Sequence, residues 1–268
     1  MTADVVIVHY GPAEVTASAA AAALATGWPV TVVDNDGGLD LEDDPRLTVL
    51  RPGTNIGFAR AVNLGARQGA SPWILMLNPD TEPGPGALEQ LVAIAGECDD
   101  TAVLAPTLVY RDGSPQIGGG RFAGWVREVG RMSGLGRLLR ARRAQSRSEF
   151  RSAEHEAGVT IDRQWVSGAV MLVRRAAFEE VGGFDERFFL YYEDEDLCRR
   201  LRARGWSVAV APEVRVKHAL MGTRADESAR EPAAAFERSR AVYHQIHSGP
   251  LLRRIVGWDS ARRERALR

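Results

Sequence analysis

Apolar positions in the first 110 residues fall alternately into short continuous runs and into stretches with a repeat of three to four. The runs DVVIVHY (4–10), VTVVD (30–34), LTVLR (47–51), WILMLN (73–78) and AVLAPTLVY (102–110) have strand length, while residues 13–26, 57–69 and 85–97 carry the helical spacing. Apolar runs without a polar face, separated by helices, predict a mostly parallel central sheet covered on both sides, an α/β fold. The rhythm breaks over 111–164, where a Gly/Pro turn, DGSPQIGGG, leads into an arginine-dense stretch. It resumes at WVSGAVMLVRRAAFEEVGGFDERFFLYYEDED with a strand, a helix, a loop and an acidic helix, followed by a strand in WSVAVAPEVRVKH. From about 226 onward the pattern is helical and charged, which predicts an appended C-terminal helical extension. The expected organisation is one domain over 1–225, built from a 1–110 half, a basic insertion at 111–164 and a 165–225 half, with the extension at 226–268.

In an open α/β sheet a ligand sits beyond the carboxyl ends of the strands. Those ends read His9-Tyr10-Gly11, Asp34-Asn35-Asp36, Gly53-Thr54-Asn55 and Asn78-Pro79-Asp80. Asp34 is placed either to accept from the N3–H of a uracil or thymine ring or to anchor an Asx turn. The stretch PGTNIGFARAVNLGARQ offers Asn55 at a helix start, glycines that permit close backbone approach, and Asn63 further on, with capping as the plainer reading. Asp80, presented by a proline-rich turn, suits a hard divalent cation that shares substrate phosphate oxygens; a turn acid is the alternative. His218, at the end of VRVKH, becomes a second ligand only if it converges with Asp80.

The segment FLYYEDEDLCRRL places four consecutive acids, Glu193 to Asp196, where they oppose a helix dipole. At 100° per residue Leu197, Cys198 and Leu201 share one arc with Asp194 in its middle, while Glu195 and Asp196 point away, spaced to pair with Arg199 and Arg200. An inward carboxylate held without purpose would lose solvation, which makes Asp194 a candidate working acid, with an acid that merely opposes the helix dipole as the plainer reading.

Composition narrows the function classes. With 45% hydrophobic and 26% charged residues and a formal net charge of -1, the 268-residue chain has the make-up of a globular protein with no global pull toward nucleic acid. Cys98 and Cys198 lack CxxC spacing, which argues against a zinc site or disulfide framework and fits a reducing cytoplasm. No basic n-region opens the chain and no apolar stretch reaches the roughly 18–20 residues that span a bilayer, so the expected location is cytoplasmic. Residues 121–151 intersperse arginines with Trp125, Val126, Val129, Leu135, Leu138 and Leu139. They read either as a peripheral surface for anionic lipid or a diphosphate head group, or as a solvated loop. The C-terminal helices could also pair two copies in a homodimer.

Taken in order, VVDN, NIGFARAVNLGARQ, LMLNPDTEP, VSGAVMLVRRAAFEEVGGFDERFFLYYEDEDLCRRLRARGW and the later KH resemble glycosyltransferase family 2, inverting enzymes of GT-A fold, and in particular its bacterial rhamnosyltransferase-like members. The resemblance covers most of residues 4–220. It implies a Rossmann-like nucleotide-diphospho-sugar transferase fold in which His9, Tyr10, Asp34, Asn55, Gly57, Phe58, Asn63, Asn78 and Asp80 meet the nucleotide sugar. It further implies that Asp80 takes the metal role of the DXD motif for Mg²⁺ or Mn²⁺, with His218 as a second contact, and that Asp194 is the catalytic base, oriented by Glu193 or sharing the acceptor with it. Trp165, Ser167 and Gly168 would line the acceptor or donor-sugar side, where a core tryptophan is the plainer reading. Asn78 stands where the DXD motif has its first acid, a departure that bears on metal binding. The implied donor is dTDP-L-rhamnose and the implied acceptor a glycan or polyprenyl-diphosphate-linked glycan at the inner membrane face, in cell-envelope polysaccharide synthesis. A UDP-hexose or UDP-N-acetylhexosamine donor, or a non-catalytic sugar-nucleotide-binding protein of the same fold, are the alternatives.

Overall fold

Apolar runs without polar alternation have no face to offer water, and they become the strands of one sheet buried on both sides. The computed structural model describes residues 1–132, 160–219 and 230–267. The first part of the chain forms β1 (Ala3–His9), α1 (Ala13–Leu24), β2 (Val30–Asp34), β3 (Leu47–Leu50), α2 (Phe58–Ala66), β4 (Trp73–Leu77), β5 (Thr81–Pro83), α3 (Ala87–Gly96) and β6 (Thr101–Val109). Next come β7 (Gly119–Gly120), α4 (Trp125–Met132), β8 (Ile161–Asp162), β9 (Trp165–Val166), β10 (Val170–Arg174) and α5 (Arg175–Glu180). The remainder holds α6 (Glu193–Ala203), β11 (Ser207–His218), α7 (Arg230–His247) and α8 (Pro250–Leu267).

The nine-stranded sheet has the order β3-β2-β1-β4-β10-β6-β11-β5, with β8 beside β11. β3, β2, β1 and β4 are parallel neighbours, and β6 and β11 run with them. β10 is antiparallel to both β4 and β6, while β5 and β8 oppose β11. The expected mostly parallel α/β sheet is present, with these three strands reversed. The reversal of β10 matters for the site. Its first residue, Val170, pairs with Leu77 at the end of β4, so the loop that precedes β10 arrives at the carboxyl edge of the parallel strands.

Alternate residues of β1 feed two separate cores, Val6 and Val8 with α2 and α6 on one face, Ala3, Val5 and Ile7 with α1 and α3 on the other. The C-terminal run, expected as an appendage, is built into the first of these cores: Tyr243 of α7 is fully buried there. The stripe Phe236, Tyr243 and His247 gives α7 an aromatic face, which covers the side of α6 that would otherwise meet water. The described part of the basic insertion is also folded, since β7 pairs with β9 and α4 packs against α8. Leu135, Leu138 and Leu139 lie outside the described residues.

A register shift between Ala211 and Arg215 interrupts the pairing of β11 with β6. Pro212, which has no N–H to donate, sits in this bulge and its carbonyl accepts from the Thr107 hydroxyl at 3.4 Å. Beyond the bulge the strand continues far enough to pair with β5, His218 opposite Thr81.

Candidate active site

That pairing brings together two residues that are distant in the chain. The main-chain carbonyl of Asn78 accepts from both the hydroxyl (2.6 Å) and the N–H (3.2 Å) of Thr81, a tight turn with Asp80 inside it. Asp80 Oδ1 lies 3.3 Å from His218 Nε2, and the Asp80 carbonyl accepts the Ala219 N–H at 2.9 Å. The condition set for His218 is therefore met. Among the described residues no group of three or more His, Cys, Asp or Glu forms a cage. Two converging protein ligands suit a Mg²⁺ or Mn²⁺ ion that takes its remaining oxygens from a substrate diphosphate.

Asp194, in the first turn of α6, reaches the same edge. Gly168, in the loop before β10, donates its N–H to Asp194 Oδ2 at 3.2 Å, and Glu195 N–H donates to Oδ1 at 2.8 Å. Burial raises the Asp194 carboxyl to about 6; the Gly168 and Glu195 amides pull it down and the Glu195 charge adds to the rise. Glu193 is pushed up as well, first by burial and then by the charges of Asp194 and Asp196, and its Oε2 has no hydrogen-bond partner. The two residues ahead of the helix, Tyr191 and Tyr192, both adopt left-handed backbone with φ of 70° and 68°. Each such residue costs on the order of 1–2 kcal/mol. Packing holds them there. The Tyr192 ring lies 5.3 Å from Phe236 and 5.2 Å from Tyr243, and the Ser239 hydroxyl donates to the Leu190 carbonyl at 2.8 Å.

Glu195 and Asp196 differ from expectation. Asp196 does pair with Arg200 at 2.7 Å, but Arg199 turns to the Tyr243 hydroxyl at 3.1 Å and leaves Glu195 to Arg127 at 3.0 Å and to the Ala123 N–H. Asp196 also accepts from His247 at 2.7 Å. Both acids are buried because α4 and α7 cover the face assigned to solvent.

The expected donor-side residues separate into two sets. His9 and Asp34 stand together at the ends of β1 and β2, Nε2 to Oδ1 4.0 Å, and Tyr10 beside them is exposed. The Asx-turn reading of Asp34 is realised, since its oxygens accept from the N–H groups of Gly37 (2.7 Å) and Leu39 (3.0 Å). The second set lies against the loop that leads to α6. Asn55 accepts from the Gly57 N–H at 2.9 Å, and Phe58 N–H donates to the Phe189 carbonyl at 2.7 Å. Gly57 has φ of 82°, and a Cβ there would lie 2.6 Å from the Phe189 oxygen, so the glycine admits close approach of the Phe189 backbone. Asn63 also reaches this part of the chain. Its amide donates to the Phe184 carbonyl (2.9 Å) and accepts the Phe184 N–H (2.9 Å), which makes it a clamp on the loop that leads to α6. Trp165 donates its indole N–H to the Arg121 carbonyl at 3.1 Å and the Ser167 N–H donates to the Gly118 carbonyl at 2.7 Å, both holding the 118–121 stretch. Of that trio Gly168 donates its N–H to Asp194.

Gly57→Ala is accordingly expected to destabilise the fold by about 1–3 kcal/mol, the cost of a forced left-handed residue, and more if Phe189 cannot retreat. A urea unfolding midpoint indistinguishable from the parent would contradict this account of the loop.

The chain resembles known proteins along most of its length. The family described as Glycosyltransferase like family 2 matches residues 40–243. An N-acetylglucosaminyl-diphospho-decaprenol L-rhamnosyltransferase of Mycobacterium tuberculosis (strain CDC 1551 / Oshkosh) is 31% identical over 91% of this chain and 85% of the relative. The chain belongs to glycosyltransferase family 2. Within it this glycosyltransferase is of the rhamnosyltransferase-like, hexosyl-transferring kind. The Rhamnosyltransferase WbbL of Escherichia coli (strain K12) is 43% identical over a shorter stretch, 20% of each chain. The fold is GT-A. The solved structure of the mannosyltransferase PcManGT from Pyrobaculum calidifontis with GDP-Man and Mn²⁺ aligns with a TM-score of 0.59 over 96% of this chain and 68% of that one, at 15% identity. GalNAc-T7 with UDP, GalNAc and Mn²⁺ gives the same TM-score over 91% of this chain, which spans about half (51%) of that protein.

Arg127, Ser239 and His247 were not among the residues singled out in the sequence, yet they hold α6 and the loop ahead of it. The aromatic and histidine stripe of α7 was the available signal, since such a face on a charged helix requires something to cover.

Proposed function

We propose that this glycosyltransferase moves L-rhamnose from dTDP-L-rhamnose to a hydroxyl of a polyprenyl-diphosphate-linked saccharide, with inversion at the sugar C1. The observation that carries the reading is the placement of Asp194 at the same sheet edge as the Asp80–His218 pair, so that a base and an anion-neutralising pair serve one ligand. The M. tuberculosis relative supports the sugar and the acceptor class by what its name says it acts on. In this reading the acceptor oxygen bonds to C1 as the C1–O bond to the diphosphate breaks, and the acceptor proton passes to Asp194. With its carboxyl at about 6, Asp194 is ionised at neutral pH and basic enough to take that proton. Glu193, pushed up beside it by burial and then by the charges of Asp194 and Asp196, would orient that base or meet the acceptor. His9, Asp34 and Tyr10 form the nucleoside end, and Asn78 and Asp80 the diphosphate end. A divalent cation held by Asp80 and His218 would supply charge neutralisation on the leaving diphosphate; Mn²⁺ accompanies nucleotide sugars in GT-A structures of the same fold.

Among the described residues no helix is long and apolar enough to cross a membrane. Contact with the membrane that carries the acceptor is assigned to residues 121–151, whose described part exposes Trp125 (46%) and Val126 (76%) on α4. The test is thermal stabilisation by dTDP-rhamnose, UDP-glucose, UDP-galactose and UDP-N-acetylglucosamine, with and without Mn²⁺, followed by transfer to a polyprenyl-diphosphate N-acetylglucosamine acceptor. A selective, Mn²⁺-assisted shift with the thymidine donor is expected, and Asp80→Ala should remove the Mn²⁺ assistance. A preference for a uridine donor would overturn the sugar, and no transfer with any donor would favour a binding protein.

A further inference from the structure

The turn that follows β6 carries Gln116, a residue absent from every candidate set above, to a buried position against His218. Its side-chain nitrogen donates to two main-chain carbonyls, that of His218 at 2.6 Å and that of Val109 at 3.3 Å. A carbonyl oxygen has no hydrogen to give, so the amide orientation is determined: nitrogen toward the two carbonyls, Oε1 toward the imidazole. Oε1 lies 3.0 Å from His218 Nδ1. Since an amide oxygen only accepts, Nδ1 must be the protonated ring nitrogen. In the neutral ring Nε2 then carries the lone pair, and Nε2 is the atom that faces Asp80 Oδ1 at 3.3 Å.

We propose that Gln116 is a positioning residue that holds His218 in the Nδ1–H tautomer, so that the Nε2 lone pair and the Asp80 carboxylate are presented together to a divalent cation. The inference rests on the metal reading of Asp80 and His218 given under Proposed function, and extends it to a residue that touches neither substrate nor metal. Two facing acceptors repel each other and are relieved by a cation between them. Without the Gln116 oxygen the ring is free to protonate Nε2 instead, donate to Asp80, and close the pair with an internal hydrogen bond that competes with metal. Gln116 thus decides whether the pair binds a cation or satisfies itself. Its own main-chain N–H bonds the Leu108 carbonyl at 2.8 Å, which fixes the backbone from which the side chain reaches.

The experiment uses the full chain with ¹⁵N-histidine labelling. Long-range ¹H–¹⁵N spectra of the metal-free protein report the His218 tautomer, with the His218 signals assigned by their loss in His218→Ala. The expected result is Nδ1–H in the parent and a change toward Nε2–H in Gln116→Met. In parallel, the affinity for Mn²⁺ in the presence of dTDP, read from the electron paramagnetic resonance of free Mn²⁺, is expected to fall by about 10–100-fold in Gln116→Met, with metal-free dTDP binding unchanged. Gln116→Glu keeps an acceptor for Nδ1–H but loses the donor to the His218 and Val109 carbonyls, so it is expected to retain the Nδ1–H tautomer even where its stability falls, which separates the Nδ1 hydrogen bond from general damage. An Nε2–H tautomer in the parent, or Mn²⁺ affinity in Gln116→Met equal to the parent while Asp80→Ala and His218→Ala lose it, overturns the role of Gln116 alone. Unchanged Mn²⁺ affinity in both of those alanine variants would instead overturn the metal reading and the proposal with it.

Discussion

Asp194→Asn is expected to lower sugar transfer by about 10²–10⁴-fold, the usual contribution of a positioned general base, while donor affinity stays at the parent value. The amide keeps an acceptor for one of the two N–H donors, from Gly168 and Glu195, but cannot take a proton. The pH profile supplies an independent check. With the carboxyl at about 6, the transfer rate of the parent should fall as pH drops through that value, and the asparagine variant should lack this acid limb. Stability moves in the opposite sense. The folded chain holds the Asp194 proton more tightly than the unfolded chain, where the group titrates near 3.8. This contribution is complete below the unfolded value and is lost as pH rises through the folded one. The variant should therefore gain stability relative to the parent between about pH 4 and 7, by roughly 3 kcal/mol at most. Retention of full transfer activity, or an acid limb that survives the substitution, would remove Asp194 from the role of base.

The strands were legible because a run apolar on both faces has few alternatives to a buried strand. Asp80 and His218 were legible as residue types, but their meeting depends on the bulge at Pro212, which extends β11 to β5. The amides were the hardest to read. Asn63 beside a glycine-bearing helix start could equally cap, bind or clamp, and its partner Phe184 lies 121 residues away. The acidic helix shows the same limit. Helical periodicity places Glu195 and Asp196 on one face correctly, yet cannot tell that α4 and α7 return to cover it and convert surface acids into buried partners of Arg127 and His247. Gln116 lies within a Gly/Pro turn where nothing local distinguishes a glutamine that faces solvent from one that reads a histidine ring.

The largest stability loss is expected at Arg240. Its side chain is 0% exposed and reaches Glu128 (2.8 Å from Nε), Glu237 (2.9 Å) and Asp259 (2.9 Å), which binds α4, α7 and α8 into one unit. Burial opposes the guanidinium charge, but the surrounding carboxylates outweigh it and hold the group above its ordinary value. Arg240→Met keeps much of the volume and leaves three buried acids short of a cation, so a loss of about 3–5 kcal/mol in urea unfolding is expected. The damage should extend to catalysis, because α4 also carries Arg127 to Glu195 and α7 packs on the strained Tyr191–Tyr192 turn ahead of Asp194. The carboxyls of Glu128 and Asp259 are held low despite burial, the first by His244 and Arg240, the second by Arg240 and Arg263. The stability they contribute is present at neutral pH and is lost as pH falls through their depressed values, so parent and variant should converge in acid. Adding Glu128→Gln and Asp259→Asn to Arg240→Met should recover part of the loss, since neutral groups need no counter-charge. If Arg240→Met unfolds at the parent urea midpoint at neutral pH, the network is not what joins the C-terminal helices to α6, and aromatic packing of Phe236 and Tyr243 must carry that task alone.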